Sequence, residues 1–249
     1  METMLRTIDV IAGPCSAESR DQIFETAKGL NEIGIKTMRA GLWKPRSRYG
    51  SFEGVGVVGF PWLQEVQREF GMKVMTEVAL PVHVEESLKA GIDMIWIGAR
   101  TTVNPFMMNE IADSLRGVDI PVFVKNPVCP DLALWEGGME RLFKVGLKRL
   151  SIIHRGFCLL DNSPYRNTPL WNLSQKIHEV FPDSPIYCDP SHIAGKRELL
   201  KELCITAIKY NYDGLFIESH YNPCIAKSDA NQQITPENLK YILDQISQK

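Results

Sequence analysis

The sequence predicts an α/β fold, a single (β/α)8 TIM barrel, and three observations carry that prediction. Eight short runs rich in Val, Ile, Phe or Tyr recur along 249 residues, the intervals between them suit one crossover helix each, and each run exits into a glycine turn or a polar residue. Alternating β-type runs and amphipathic stretches are the pattern of βα units. Eight units in about 250 residues match one closed barrel, with a doubly wound sheet as the alternative architecture.

In chain order, strands are predicted over 9–12, 37–40, 73–76, 94–97, 122–124, 149–153, 185–188 and 214–217. Helices are predicted over 19–33, 82–90, 105–115, 131–145, 169–180, 196–210 and 236–248. Ser19 and Asp131 stand where N-caps belong, and glycines follow several of the helical runs. The glycine-rich interval 41–60 reads as a long loop after the second strand, over the face where strands end. No composition break divides the chain, so residues 1–249 read as one catalytic domain with no fused regulatory or chorismate mutase domain.

Composition narrows the function. A net charge of −2 and a pI near 6.2 leave no basic footprint for nucleic acid, and no basic run suggests a membrane surface. There is no signal-peptide core near Met1 and no apolar stretch of spanning length, so the expectation is a soluble cytoplasmic protein. Six cysteines without a Cys-x-x-Cys pair read as reduced thiols.

The strand exits carry the chemistry. They read Gly13-Pro14-Cys15, Gly41 through Arg46, Glu77, Gly98-Ala99-Arg100, Lys125-Asn126, His154-Arg155-Gly156, Asp189-Pro190-Ser191-His192 and Glu218-Ser219-His220. In a barrel these exits converge on one face, where active sites form. Arg39, Lys44, Arg46, Arg100, Lys125 and Arg155 would share that mouth, a crowd of cations that an anion must complete. Guanidinium grips phosphate and carboxylate bidentately and lysine acts as a point charge, so a doubly anionic small substrate, or a pair of them, fits. Any one of these cations alone is better read as a solvated surface charge; the set at strand ends is not.

Cys15, His192, Glu218 and Asp229 fall in separate turn-flanked segments and together make a candidate divalent metal site. Singly, a cysteine is usually a small buried hydrophobe and a histidine an ordinary polar contact. The mixed donors tolerate Mn, Fe, Co or Zn without selecting one. Cys188 is a rival thiol and His220 a rival imidazole.

Gly13 through Ser19, Lys44-Pro45-Arg46, Gly98-Ala99-Arg100, Lys125-Asn126-Pro127, His154-Arg155-Gly156, Asp189 through His192 and Ser228-Asp229, in this order, resemble 3-deoxy-D-arabino-heptulosonate 7-phosphate (DAHP) synthases. The resemblance spans about 9–233 and is closest to the short class, which is related to 3-deoxy-D-manno-octulosonate 8-phosphate synthase. It implies condensation of phosphoenolpyruvate with erythrose 4-phosphate and water, releasing phosphate, at the first step of the shikimate pathway toward chorismate and aromatic amino acids. It also implies metal ligation by Cys15, His192, Glu218 and Asp229, and a phosphoenolpyruvate cluster of Arg39, Lys44, Arg100, Lys125 and Arg155. Arg46 and Ser47 match the aldose-phosphate contact, and Asp189 lies where it could hold a sugar hydroxyl. After Ser47 the chain reads Arg48-Tyr49-Gly50, a departure from the family's Ser-Pro form.

The resemblance further implies Lewis-acid help from the metal and a homo-oligomer, dimer or tetramer, with a chorismate mutase domain or partner as a companion of some relatives. Cys15, Lys44 and His192 are the catalytic candidates. Lys44 is expected to protonate the acceptor oxygen, with a pKa lowered by surrounding cations, and Glu77 or His192 with water are the alternatives. Two other readings stand beside this one: an octulosonate synthase using arabinose 5-phosphate, and a non-catalytic barrel that binds phosphorylated metabolites. Pro45 and Arg46 favour the four-carbon acceptor, because the octulosonate type carries Lys-Ala-Asn-Arg-Ser there.

Overall fold

A computed structural model describes residues 8–46 and 49–246. Eight parallel strands close in sequence order, β1 (Asp9–Gly13), β2 (Thr37–Arg39), β3 (Lys73–Val78), β4 (Met94–Ile97), β5 (Val122–Lys125), β6 (Leu150–His154), β7 (Ile186–Cys188) and β8 (Gly214–Glu218), the last pairing with β1. Around them run α1 (Arg20–Glu32), α2 (Phe60–Phe70), α3 (Pro81–Lys89), α4 (Ala99–Thr102), α5 (Pro105–Ser114), α6 (Leu132–Lys144), α7 (Trp171–Val180), α8 (Pro190–Ala194), α9 (Leu200–Lys209) and α10 (Pro236–Ile246). None of the described helices is long and apolar enough to cross a membrane.

Strand alternation explains where the site sits. Ile11, Met75, Trp96, Phe123, Ile153, Tyr187 and Phe216 form a buried cluster of their own inside the barrel, with Trp96 edge-on to Phe216 at 5.3 Å. Side chains two residues apart share a face of a strand. Two residues beyond this layer come Gly13, Glu77, Gly98, Lys125, Arg155, Asp189 and Glu218. The polar layer is therefore the next interior storey of the same barrel. The intervening residues, including Ala12, Ile97, Val124, Ile152, Cys188 and Ile217, belong to the larger core beneath the helices.

The predicted strands all form, with ends shifted by one or two residues. Ser19 and Asp131 cap α1 and α6, each accepting a backbone N–H of the first turn. Helix α7 begins later than expected because Leu170 adopts a left-handed conformation, φ 36°. The stretch 196–210 divides into a 3-10 turn, Arg197–Leu199, and α9. The final predicted helix is seen to Ile246, and its remainder falls outside the described residues.

Helix α2 was not anticipated. Pro61 and the glycines before it look like breakers, but Pro61 occupies the first turn, where a missing N–H costs nothing. Gly71, at φ 61°, closes the other end, and Phe60, Leu63 and Val66 bury one face. Leu63→Ala should cost about 2–5 kcal/mol, read from urea unfolding; a loss below half a kcal/mol would mean that α2 contributes little to the core.

Candidate metal and anion site

Three donors converge at the floor of the open face. One ligand atom each from Cys15, Glu218 and Asp229 lies within 4.8 Å of the others. Cys15 Sγ is 3.3 Å from Asp229 Oδ2, and His192 Nε2 stands 3.7 Å from Glu218 Oε1 and 3.9 Å from Asp229 Oδ2. Bond lengths of about 2.0–2.3 Å around a divalent ion put neighbouring donors roughly 3–4 Å apart. A thiol, an imidazole and two carboxylates at this spacing fit a transition-metal ion.

Each donor comes from a different local device. Cys15 follows the β1 exit, where Gly13 is obligatory because a Cβ would lie 2.1 Å from the Arg39 carbonyl oxygen. His192 is presented by α8, whose N-cap Asp189 accepts the His192 backbone N–H through Oδ1 at 3.0 Å. Asp189 Oδ2 lies 2.8 Å from His192 Nδ1, although the N–H is not aimed at it, and so turns Nε2 toward the carboxylates. Glu218 ends β8, and Asp229 arrives from the loop beyond it in a left-handed conformation, φ 50°.

Electrostatics prepare the donors unequally. Burial, then the Glu218 charge, pushes the Cys15 thiol far above its ordinary range, so it carries its proton in the metal-free protein. Burial lowers the His192 pKa against the pull of Asp189, leaving a neutral imidazole. Burial opposes the Asp229 carboxylate, but His192 and Arg166 hold its pKa well below the usual range. An ion entering near neutral pH therefore displaces about one proton, that of Cys15, and affinity should rise up to about tenfold per pH unit. Calorimetry in buffers of different ionisation enthalpy counts that proton; no release would contradict thiolate ligation.

Above the donors opens a mouth faced by Lys44, Arg46, Arg100, Lys125, Arg155 and Arg166 against the carboxylates of Glu77 and Asp229. Lys125 Nζ donates to Asp189 Oδ2 at 2.8 Å and lies over the Phe216 ring. Burial, only partly offset by Asp189, lowers its pKa. Arg155 donates through Nη1 to Asn167 Oδ1 at 2.9 Å, and burial brings its pKa down to about 10. Arg46 is tethered through Nε to the Phe52 carbonyl at 2.8 Å. A larger cleft of about 400 Å³ lies between α5 and α6, but Arg116 there already pairs with Asp113 at 2.6 Å and Arg141 with Asn109 at 2.8 Å.

Several expectations change. Arg39 does not share the mouth: it is fully buried below it, 4.4 Å from the Phe216 ring and 3.3 Å from Glu218 Oε1. Asp189 is likewise fully buried and holds Lys125 and His192, which gives it an orienting task inside the protein where a sugar contact had been expected. Lys44 was expected to have a lowered pKa. Burial does act that way, yet the charges around it, Cys15, Glu77 at 3.1 Å and Glu218, outweigh burial and Arg39 and raise it. Cys188 turns outward into the core beneath the helices. His220 accepts from the Asn222 backbone N–H through Nδ1 and stays outside the donor group. Ser47 lies outside the described residues.

The family profile described as the DAHP synthetase I family matches residues 6–249. The chain belongs to this family. Relatives of the DAHP synthetase I family include the phospho-2-dehydro-3-deoxyheptonate aldolase of Thermotoga maritima, 32% identical over 95% of this chain and 68% of that protein. A 2-dehydro-3-deoxyphosphooctonate aldolase of Campylobacter jejuni subsp. doylei is 27% identical over 95% of both. The crystal structure of the Thermotoga maritima DAHP synthase superposes with a TM-score of 0.85 at 29% identity, covering 97% of this chain and 68% of that one. A truncated form of the enzyme from the same organism gives 0.81 at 27% identity, covering 97% and 86%.

Sequence reasoning missed Arg166, Asn167 and Gln232. They lie in irregular segments beyond the strand exits, so the strand rhythm that exposed the other residues gives no signal for them.

Proposed function

We propose that this DAHP synthetase I family chain joins phosphoenolpyruvate to erythrose 4-phosphate and water, giving DAHP and phosphate, with a divalent ion held by Cys15, His192, Glu218 and Asp229. The observation that carries the reading is the thiol, imidazole and carboxylate donor set lying directly under a mouth faced by six cationic side chains. An ion held there would supply Lewis acidity toward a carbonyl oxygen.

The chain's own residues supply binding and charge. Lys125, Arg155 and Arg100 would hold the phosphate and carboxylate of the enol phosphate, bringing its C3 against the aldehyde carbon. Arg39, from below, adds positive potential to the same layer. Arg46 with Ser47 would take the phosphate of the aldose. As the new carbon–carbon bond forms, the aldehyde oxygen gains a proton, and the Lys44 ammonium, held charged by Glu77, is the donor that faces the mouth. Water adds at C2, and the phosphohemiketal expels phosphate.

Pro45 and Arg46 favour erythrose 4-phosphate over arabinose 5-phosphate. Phosphate release with each aldose phosphate tests this: turnover should be faster with the four-carbon sugar by tenfold or more on the scale of pocket discrimination, about 1–3 kcal/mol. Faster turnover with arabinose 5-phosphate would assign the octulosonate reaction, and no turnover with either would leave a binding barrel. Chelator-treated protein should be inactive until a divalent ion is restored, and activity that survives chelation would remove the ion from the mechanism.

A further inference from the structure

Both carboxylates of the donor group are held by one oxygen only, and a single guanidinium organises that arrangement. Arg166 Nη1 donates to Asp229 Oδ1 at 2.9 Å and to Gln232 Oε1 at 2.8 Å. Gln232 in turn donates through Nε2 to Glu218 Oε2 at 2.7 Å. The other oxygens are the ones that face the thiol and imidazole. Asp229 Oδ2 lies 3.3 Å from Cys15 Sγ, and Glu218 Oε1 lies 3.7 Å from His192 Nε2.

The guanidinium is itself fixed in place. The Arg166 backbone N–H donates to the Ala194 carbonyl at 3.3 Å and the Asn167 N–H to the Ile193 carbonyl at 3.2 Å. Asn167 Nδ2 donates to the His192 carbonyl at 2.6 Å. Gly195 leaves room for the arginine stem, since a Cβ there would lie 2.5 Å from Arg166 Cβ. The segment carrying Arg166 is thus stitched to the one carrying His192.

We propose that Arg166 is a positioning residue for the metal ligands: directly at Asp229, and through Gln232 at Glu218, it occupies one oxygen of each carboxylate and turns the other toward the ion. This rests on the functional reading above. Outer partners that orient ligands are worth about 10- to 100-fold in metal affinity.

The test is titration of metal-free protein with Co(II), following the thiolate-to-cobalt absorption that Cys15 would generate, in wild type, R166Q and R166K. R166Q should bind Co(II) about 10- to 100-fold more weakly, with an altered absorption envelope and an unchanged melting midpoint in the metal-free state. R166K, which keeps the charge but not the planar fork, should fall between, and it carries the comparison if R166Q does not fold. At saturating Co(II), KM for both phosphorylated substrates should stay near wild type. Co(II) affinity within twofold of wild type in both variants would overturn the proposal. So would normal affinity with a raised KM, which would make Arg166 a substrate contact. A wild-type chain that takes up no Co(II) would bring down the metal reading itself, and this proposal with it, an outcome distinct from equal affinity across the three proteins.

Discussion

Cys15→Ser is expected to reduce turnover by about 10³-fold and to leave the protein without bound ion at ordinary concentrations. The thiol is fully buried, its backbone N–H is held by Gln233 Oε1 at 3.0 Å, and its sulfur sits against Asp229 Oδ2. A serine keeps the shape and can still donate to Asp229, so the fold should survive. It cannot supply a soft anionic donor, because a hydroxyl resists ionisation far more strongly than a thiol whose proton an ion can displace. Lewis-acid assistance is worth several kcal/mol, and each 1.36 kcal/mol is about a factor of ten in rate. Metal content and rate should be measured on the same preparation. Full metal content at full rate would exclude Cys15 from the site.

Alternation made most of this site legible in advance. Phe123 and Lys125, Tyr187 and Asp189, Phe216 and Glu218 are pairs two residues apart on one strand face, so a chain that fills its barrel with the first member aims the second at the open end. That logic identified the strand-end residues and the converging face. It could not give depth. Arg39 obeys the same alternation but lies lower, on the rings of Trp96 and Phe216, where Glu218 meets it first. It could not give net charge balance either. Lys44 was read from its cationic company, while the groups it meets in space include Glu77 and Glu218.

The remaining features are invisible to periodicity for separate reasons. Helix α2 begins within a glycine-rich interval with proline in its first turn, and its burial of Phe60, Leu63 and Val66 declares it only once the barrel wall exists. The Arg166 bracket joins two irregular segments 63 residues from Asp229 in sequence, and nothing local in either marks the contact. The short helices α4 and α8 are set by glycine and aspartate at strand exits, Gly98 and Asp189, and so follow from turn chemistry and not from an amphipathic repeat. Gly98 has a further reason to stay glycine, since a Cβ there would lie 2.1 Å from Glu77 Oε1.

Arg39→Met is expected to damage both stability and turnover, by different physics that one pair of measurements separates. In the metal-free protein Arg39 is the buried cation beside Glu218, both fully excluded from solvent. Methionine can replace the stem between Trp96 and Phe216 but leaves Glu218 without its charged partner. Breaking a buried pair on one side costs about 3–5 kcal/mol, because the surviving charge stays in a low-dielectric site. Urea unfolding of chelated protein should show that loss. A divalent ion bound beside Glu218 restores positive charge at the same carboxylate, so saturating ion should narrow the stability gap between variant and wild type. Turnover should not recover in parallel. Arg39 Nε and Nη1 have no partner within the protein, which leaves them to act on anionic charge in the layer above, and loss of one such preorganised donor costs about 10²- to 10³-fold in rate. Equal stability of the two chelated proteins would mean that Glu218 does not depend on Arg39. Full activity of the ion-loaded variant would confine Arg39 to holding the fold.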